Sequence, residues 1–240
     1  MSYFPPPADI PTRVFSSLPE TYRRPRRSAW ADANRGGQHI ASFLEGPSFD
    51  RNGHLYVTDI PFGRVFRISP EGEWTLITEY DGWPNGLKIH RNGMIYITDY
   101  KRGIVTLDPA TGAITPFLEN VGSEAFKGVN DLVFAPNGDL YFTDQGQTGL
   151  QDPTGRVYRL ETTGRLTCLI NTVPSPNGIA LAADGSSLFI AVTRAQAVWR
   201  IPLQSSGPIG KVGVFAHLHG GMGGPDGLAM DAEGCLCVAH

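Results

Sequence analysis

The chain has 240 residues, 41% of them hydrophobic, with 20 basic and 23 acidic side chains and a net charge of −3. That is enough apolar material for a packed core, and the charge is too balanced for a nucleic-acid partner. No apolar run approaches the roughly 18–20 residues of a membrane-spanning helix, so no membrane partner is expected.

The N-terminus, MSYFPPPADIP, lacks the basic and apolar segments of a secretory signal. RRPRR at 23–27 is a short basic run in a Pro-rich stretch and reads as a solvated segment. Residues 1–40 form an N-terminal extension in which TRVFSS (12–17) has the pattern of a strand that could close a ring. Three cysteines, Cys168, Cys235 and Cys237, are too few for a disulfide framework and fit a reducing, cytoplasmic setting.

From Glu45 onward the chain repeats. The stretches are EGPSFDRNGHLYVTD from Glu45, NGLKIHRNGMIYITD from Asn85, NDLVFAPNGDLYFTD from Asn130, NGIALAADGSSLFIAV from Asn177 and DGLAMDAEGCLCVAH from Asp226. Each has a polar head residue, a strand, a Gly-containing turn and a second strand. The head-to-head steps are 40, 45, 47 and 49 residues. The first four repeats continue into two more strands, as in GRVFRISPEGEWTLIT and GIVTLDPATGAITPFL. Four antiparallel strands per period of about 40–50 residues predict an all-β propeller, a single domain over 1–240. No helical periodicity of useful length is present. At this period a six-bladed β-propeller is expected, and the chain as given would lack the end of blade five and most of blade six.

In a propeller the first strand of each blade lines the central channel, so the heads should converge at one mouth. All five, Glu45, Asn85, Asn130, Asn177 and Asp226, carry a side-chain oxygen. Such a ring suits a hard divalent cation, Ca²⁺ first, with Mg²⁺, Mn²⁺ or Zn²⁺ as further options. A second recurring set, Asp59, Asp99 and Asp144, closes Y-x-T-D and reads as carboxylates bonding turn amides. His217 and His219, in HLHGGMGGPDG before Asp226, have a spacing that could serve a metal or a general base.

The motifs FLEGPSFD, GVNDLVFAPNGDLYFTD, SPNGIALAADG and GPDGLAMDAEG, in this order, resemble the SMP-30/gluconolactonase/luciferin-regenerating family. The segment WPNGLKIHRNGMIYITDYKRGI is most similar to its Drp35-type lactonases. The resemblance implies a six-bladed propeller with one divalent metal at the channel centre. It implies that Glu45, Asn177 and Asp226 bind the metal with Asn130 as a further ligand or substrate contact. Asp226 is then the general base and Asn130 its catalytic companion, with Asn85 and His219 toward the substrate. The arginine that some sugar-lactonase members carry two residues before the ND asparagine is absent here; the position is Gly128.

The expected activity is a metal-dependent lactonase, a hydrolase opening a small cyclic ester. Two alternatives accompany it: a non-catalytic calcium-binding propeller, and an esterase or phosphotriesterase acting through His217 and His219.

Overall fold

The structure is a computed structural model and describes residues 9–204, 209–221 and 223–240. Four sheets of four strands follow one another along the chain. They are β1 (Leu44–Phe49) to β4 (Trp74–Glu79), with β2 at Leu55–Asp59 and β3 at Arg64–Ile68; and β5 (Pro84–Ile89) to β8 (Ile114–Leu118), with β6 at Ile95–Asp99 and β7 at Gly103–Leu107. After a small hairpin of β9 (Asn120–Val121) and β10 (Glu124–Ala125) come β11 (Val129–Phe134) to β14 (Leu166–Val173), with β12 at Leu140–Asp144 and β13 at Gly155–Leu160. The fourth sheet is β15 (Pro176–Leu181) to β18 (Gly213–His217), with β16 at Ser187–Val192 and β17 at Ala197–Pro202. A last hairpin, β19 (Leu228–Met230) and β20 (Leu236–Val238), opens a fifth repeat. Each sheet is an antiparallel meander in sequence order. The result is a propeller with four complete blades and the hairpin of a fifth.

The strand pattern explains why the blades stack. In β16 every residue is buried. Period-two alternation sends Leu188, Ile190 and Val192 toward blade three, where with Ile179 of their own blade they meet Tyr141 and Val157. Phe189 and Ala191 point the other way and, with Val198 of the same blade, pack on Leu228 of the fifth hairpin. The same division gives a core between blades one and two (Val65, Leu87, Ile97, Leu107) and another between blades two and three (Ile104, Leu132, Phe142, Tyr158). Each fully buried aliphatic side chain in these seams contributes about 1.5–3 kcal/mol. The stabilising contacts therefore lie between blades, which is why a single blade does not stand alone.

The N-terminal extension lies on blade one. The Ser16 hydroxyl donates to Gly72 O (2.8 Å), and Trp74 Nε1 donates to Ser16 Oγ (2.9 Å). Residues 12–17 are not in a strand in this structure. Arg64 ties the extension down: its guanidinium pairs with buried Asp59 and donates to Tyr22 O (3.2 Å) and Ala41 O (3.0 Å). A short helix, α1 (Ala29–Asn34), is capped by Ser28, whose Oγ accepts from Ala31 N at 3.1 Å. At six residues it is too short to show a helical period in the sequence. No helix among the described residues is long and apolar enough to cross a membrane. Cys168, Cys235 and Cys237 are all free and exposed.

Candidate active site

Each blade's first strand carries the same irregularity. Between Glu45 and Ser48, Pro84 and Leu87, Val129 and Leu132, and Pro176 and Ile179, the pairing with the second strand slips by one residue. This is a β-bulge, and it falls at the head residue or directly after it. A bulge turns side chains out of the regular alternation, here toward the axis.

The residue after the head is glycine in four repeats, for a steric reason. A Cβ on Gly46 would stand 2.4 Å from Asn85 O, and one on Gly178 would stand 2.4 Å from Asp226 O. These glycines let adjacent inner strands approach closely. Blade three has Asp131 at this position instead.

A threonine on each second strand then locks the next head in place. Thr58 Oγ1 donates to Asn85 O (2.7 Å), Thr98 Oγ1 to Asn130 O (2.5 Å), and Thr143 Oγ1 to Asn177 O (2.7 Å). Blade four has no threonine at that register. Thr193, just past the strand, donates to Pro225 O (2.8 Å) and performs the same task for Asp226.

The five heads do converge. Glu45, Asn85, Asn130, Asn177 and Asp226 line both a channel cavity of about 670 Å³ and a mouth cavity of about 460 Å³. They therefore form the junction between the two. His217 and His219 are not among the lining residues of either cavity; both are exposed, and their rings stack on each other at 5.9 Å. Gly223, from the Gly-rich segment that follows, does line the mouth.

The amide orientations leave oxygen free. Asn130 Nδ2 donates to Gln145 Oε1 (3.1 Å), and Gln145 Nε2 donates in turn to Ser175 Oγ (3.0 Å). Asn177 Nδ2 donates to Thr193 Oγ1 (3.2 Å). The Asn130 NH₂ is held by the outer shell and the Asn177 NH₂ is shared between Thr193 and Asp226, and both asparagines keep Oδ1 available as an acceptor. Burial, then the neighbouring charges of Asp226 and Asp131, push the Glu45 carboxyl up to about 8 against the pull of the Gly46 N–H. Burial also raises Asp226, opposed by a hydrogen bond from Asn177 and reinforced by Asp131. Carboxylates gathered in this way without a cation between them are electrostatically uncomfortable, and a divalent ion would relieve that.

Several site residues escaped the sequence reading. Asp131 is 9% exposed; its Oδ1 accepts from Leu132 N (2.8 Å), its Oδ2 accepts from Ile179 N (3.2 Å), and Lys88 Nζ lies 3.7 Å away. The one signal was an aspartate where the other repeats have glycine. The mouth has an aromatic wall of Trp30, Phe43, Trp83 and Tyr100. Trp30 packs on Phe43 at 4.7 Å and Trp83 on Tyr100 at 5.8 Å. The Tyr100 ring occupies the space above Gly128, where an added Cβ would meet Cε2 at 2.3 Å. No larger side chain fits at 128 while Tyr100 holds this position.

Residues 43–240 match the profile of the SMP-30/gluconolactonase/LRE-like region. The chain belongs to this family. Lactonase drp35 of Staphylococcus aureus strain MRSA252 is 30% identical over 223 residues, which cover 88% of this chain and 66% of that relative. The chain thus spans just under two thirds of the length of this curated relative. Among solved structures, a gluconolactonase from Xanthomonas campestris superposes with a TM-score of 0.73 at 22% identity, covering 82% of this chain and 69% of that one. The calcium-binding protein regucalcin from Agrobacterium tumefaciens gives 0.68 at 26% identity, covering 82% and 66%.

Proposed function

We propose that the chain is a metal-dependent lactonase, hydrolysing a small cyclic ester at a divalent cation, Ca²⁺ in the first instance. The carrying observation is the convergence of five oxygen-bearing heads on one junction between two cavities. Glu45, Asn130, Asn177 and Asp226 would hold the ion: two carboxylates for charge and two amide oxygens already turned away from their outer partners. When bound, a divalent ion polarises a lactone carbonyl and lowers the pKa of a coordinated water.

The chain's own residues do the rest. Asp226 accepts the proton from the attacking water. Its backbone is held for this by Thr193 through Pro225 O and by the hydrogen bond from Gly178 N to Asp226 O (3.0 Å). Asn130 orients the carbonyl end of the substrate, and Gln145 fixes its rotamer. Asn85 contacts the substrate from the adjacent blade. Six-bladed closure belongs to the same reading and rests on the family resemblance. A cytoplasmic setting rests on the three free cysteines.

A second reading has one observation in its favour: the regucalcin relative is a calcium-binding protein. On that reading the ion is a structural plug and the mouth binds a partner without turnover. A panel of lactones assayed with a pH indicator in Ca²⁺, Mn²⁺ and excess EDTA separates the two. Hydrolysis in metal and none in EDTA supports the metal-dependent lactonase; full activity of metal-free protein refutes the metal dependence, and no hydrolysis under any of these conditions favours the plug.

A further inference from the structure

Two charge sets of opposite sign line the mouth cavity without pairing. Glu45 and Asp226 stand on its floor, where it meets the channel, while Arg35 and Arg194 line the mouth and not the channel. Neither arginine takes part in an ion pair among the described residues. Nearby cations are already neutralised: Lys101 and Arg102 share Asp81, and Lys88 in the channel pairs with Asp131.

Both arginines are exposed side chains on an anchored backbone. The Arg35 backbone N–H donates to Ala31 O (2.8 Å), closing the last turn of α1, and its guanidinium lies 4.9 Å over the Phe43 ring. Arg194 belongs to the short turn Thr193–Ala195. That turn also holds Asn177 and the backbone before Asp226, through Thr193. Thr193 therefore joins the Arg194 backbone at the rim to the head residues on the floor.

We propose that the substrate is a lactone bearing a carboxylate substituent, gripped at the mouth by Arg35 and Arg194 while its ring ester sits on the head residues. This rests on the lactonase reading and narrows it. A neutral lactone would use only the floor and leave two guanidiniums idle. A carboxylate offers two coplanar oxygens to a guanidinium fork, the geometry arginine recognises best. The aromatic wall of Trp83 and Tyr100 covers the flat face of the ring. A cavity of about 460 Å³ admits a molecule of this size. The substituent takes no part in the chemistry. Water's oxygen joins the acyl carbon, the acyl–oxygen ring bond breaks, and the ring oxygen leaves as a hydroxyl after taking up a proton. The product carries the original carboxylate and a new one.

The test compares matched γ-lactones with a hydrogen, a hydroxymethyl or a carboxylate at the same ring carbon, using calcium-loaded protein at low and high salt. The expected result is a kcat/KM for the carboxylate at least about tenfold above the hydroxymethyl compound, shrinking as salt rises. In the Arg35→Gln/Arg194→Gln double variant the ratio falls to about one, and Arg194→Glu drives it lower still. Turnover of all three lactones at similar rates overturns this inference and leaves the lactonase reading standing. So does a carboxylate preference that persists in the double variant. No turnover of any lactone overturns both.

Discussion

Two rings of oxygen-bearing side chains recur around this propeller, and the protein treats them in opposite ways. The strand-end ring finds its partners within the chain. Asp59 accepts from Phe43 N (2.7 Å) and pairs with Arg64; Asp99 accepts from Lys101 N (2.8 Å), Arg102 N (3.1 Å) and the Tyr80 hydroxyl (2.8 Å). Asp144 accepts from Gly128 N (2.8 Å), with one buried oxygen left over. The head ring instead faces a cavity, keeps amide oxygens free, and gathers carboxyls whose pKa is raised by burial and by neighbouring acids. Recurrence at a repeat position does not distinguish a structural ring from a functional one. The location of the hydrogen-bond donors does.

The sharpest way to break this comparison is to neutralise one member of each ring. Glu45→Gln and Asp226→Asn should each lower lactone kcat/KM by about 10⁴-fold, or about 5.4 kcal/mol, and leave the chain folded. Asp59→Asn should do the reverse. It strands the 5%-exposed Arg64 guanidinium, costing about 3–5 kcal/mol in urea unfolding, while a calcium-induced rise in Tm persists.

A smaller effect comes from the latch between the rings. Thr98→Val removes the hydroxyl that donates to both Asn130 O and Gly86 O and should cost about 1–3 kcal/mol. Calcium affinity should fall with it, because the Asn130 backbone loses its anchor. Titration calorimetry reads the affinity and urea unfolding the stability.

A further effect is a slope. The folded metal-free chain holds the Glu45 proton up to about 8, whereas the unfolded chain releases it near the ordinary carboxylate value of 4.5. The folded state binds more protons between those limits, so metal-free stability should decline as pH rises through that window. Glu45→Gln should flatten the decline. A Tm series in EDTA checks it.

The blades and their heads were legible in the sequence because both are local facts. A polar head, two alternating strands and a Gly turn recur within one period, and Glu45 and Asp226 stand out by charge. What lay hidden is what one blade does to the next. The bulges are invisible to a period-two count. The threonine of Y-x-T-D looked like strand filler, yet it donates to the following blade's head. Asp131 passed as the second letter of an asparagine motif, although its carboxylate reaches across to Ile179 N. Trp30 lies on a six-residue helix that leaves no periodic trace and Arg35 caps its end, and the blade core alone gives no reason to look there. His217 and His219 drew attention through their spacing, but both side chains are exposed, at and just past the end of β18.

The central claim is that the head ring is a cation site and the strand-end ring is not. Thermal unfolding of metal-stripped protein with and without saturating Ca²⁺ tests it most directly, on the parent, Asp59→Asn and Glu45→Gln/Asp226→Asn. At about a hundred times Kd a bound ion adds about 2.7 kcal/mol to the folded state. The account predicts a Tm rise of several degrees in the parent and in Asp59→Asn, and none in the double head variant. An unchanged parent Tm with Ca²⁺, Mg²⁺ and Mn²⁺ alike, or an equal rise in the double variant, would contradict it.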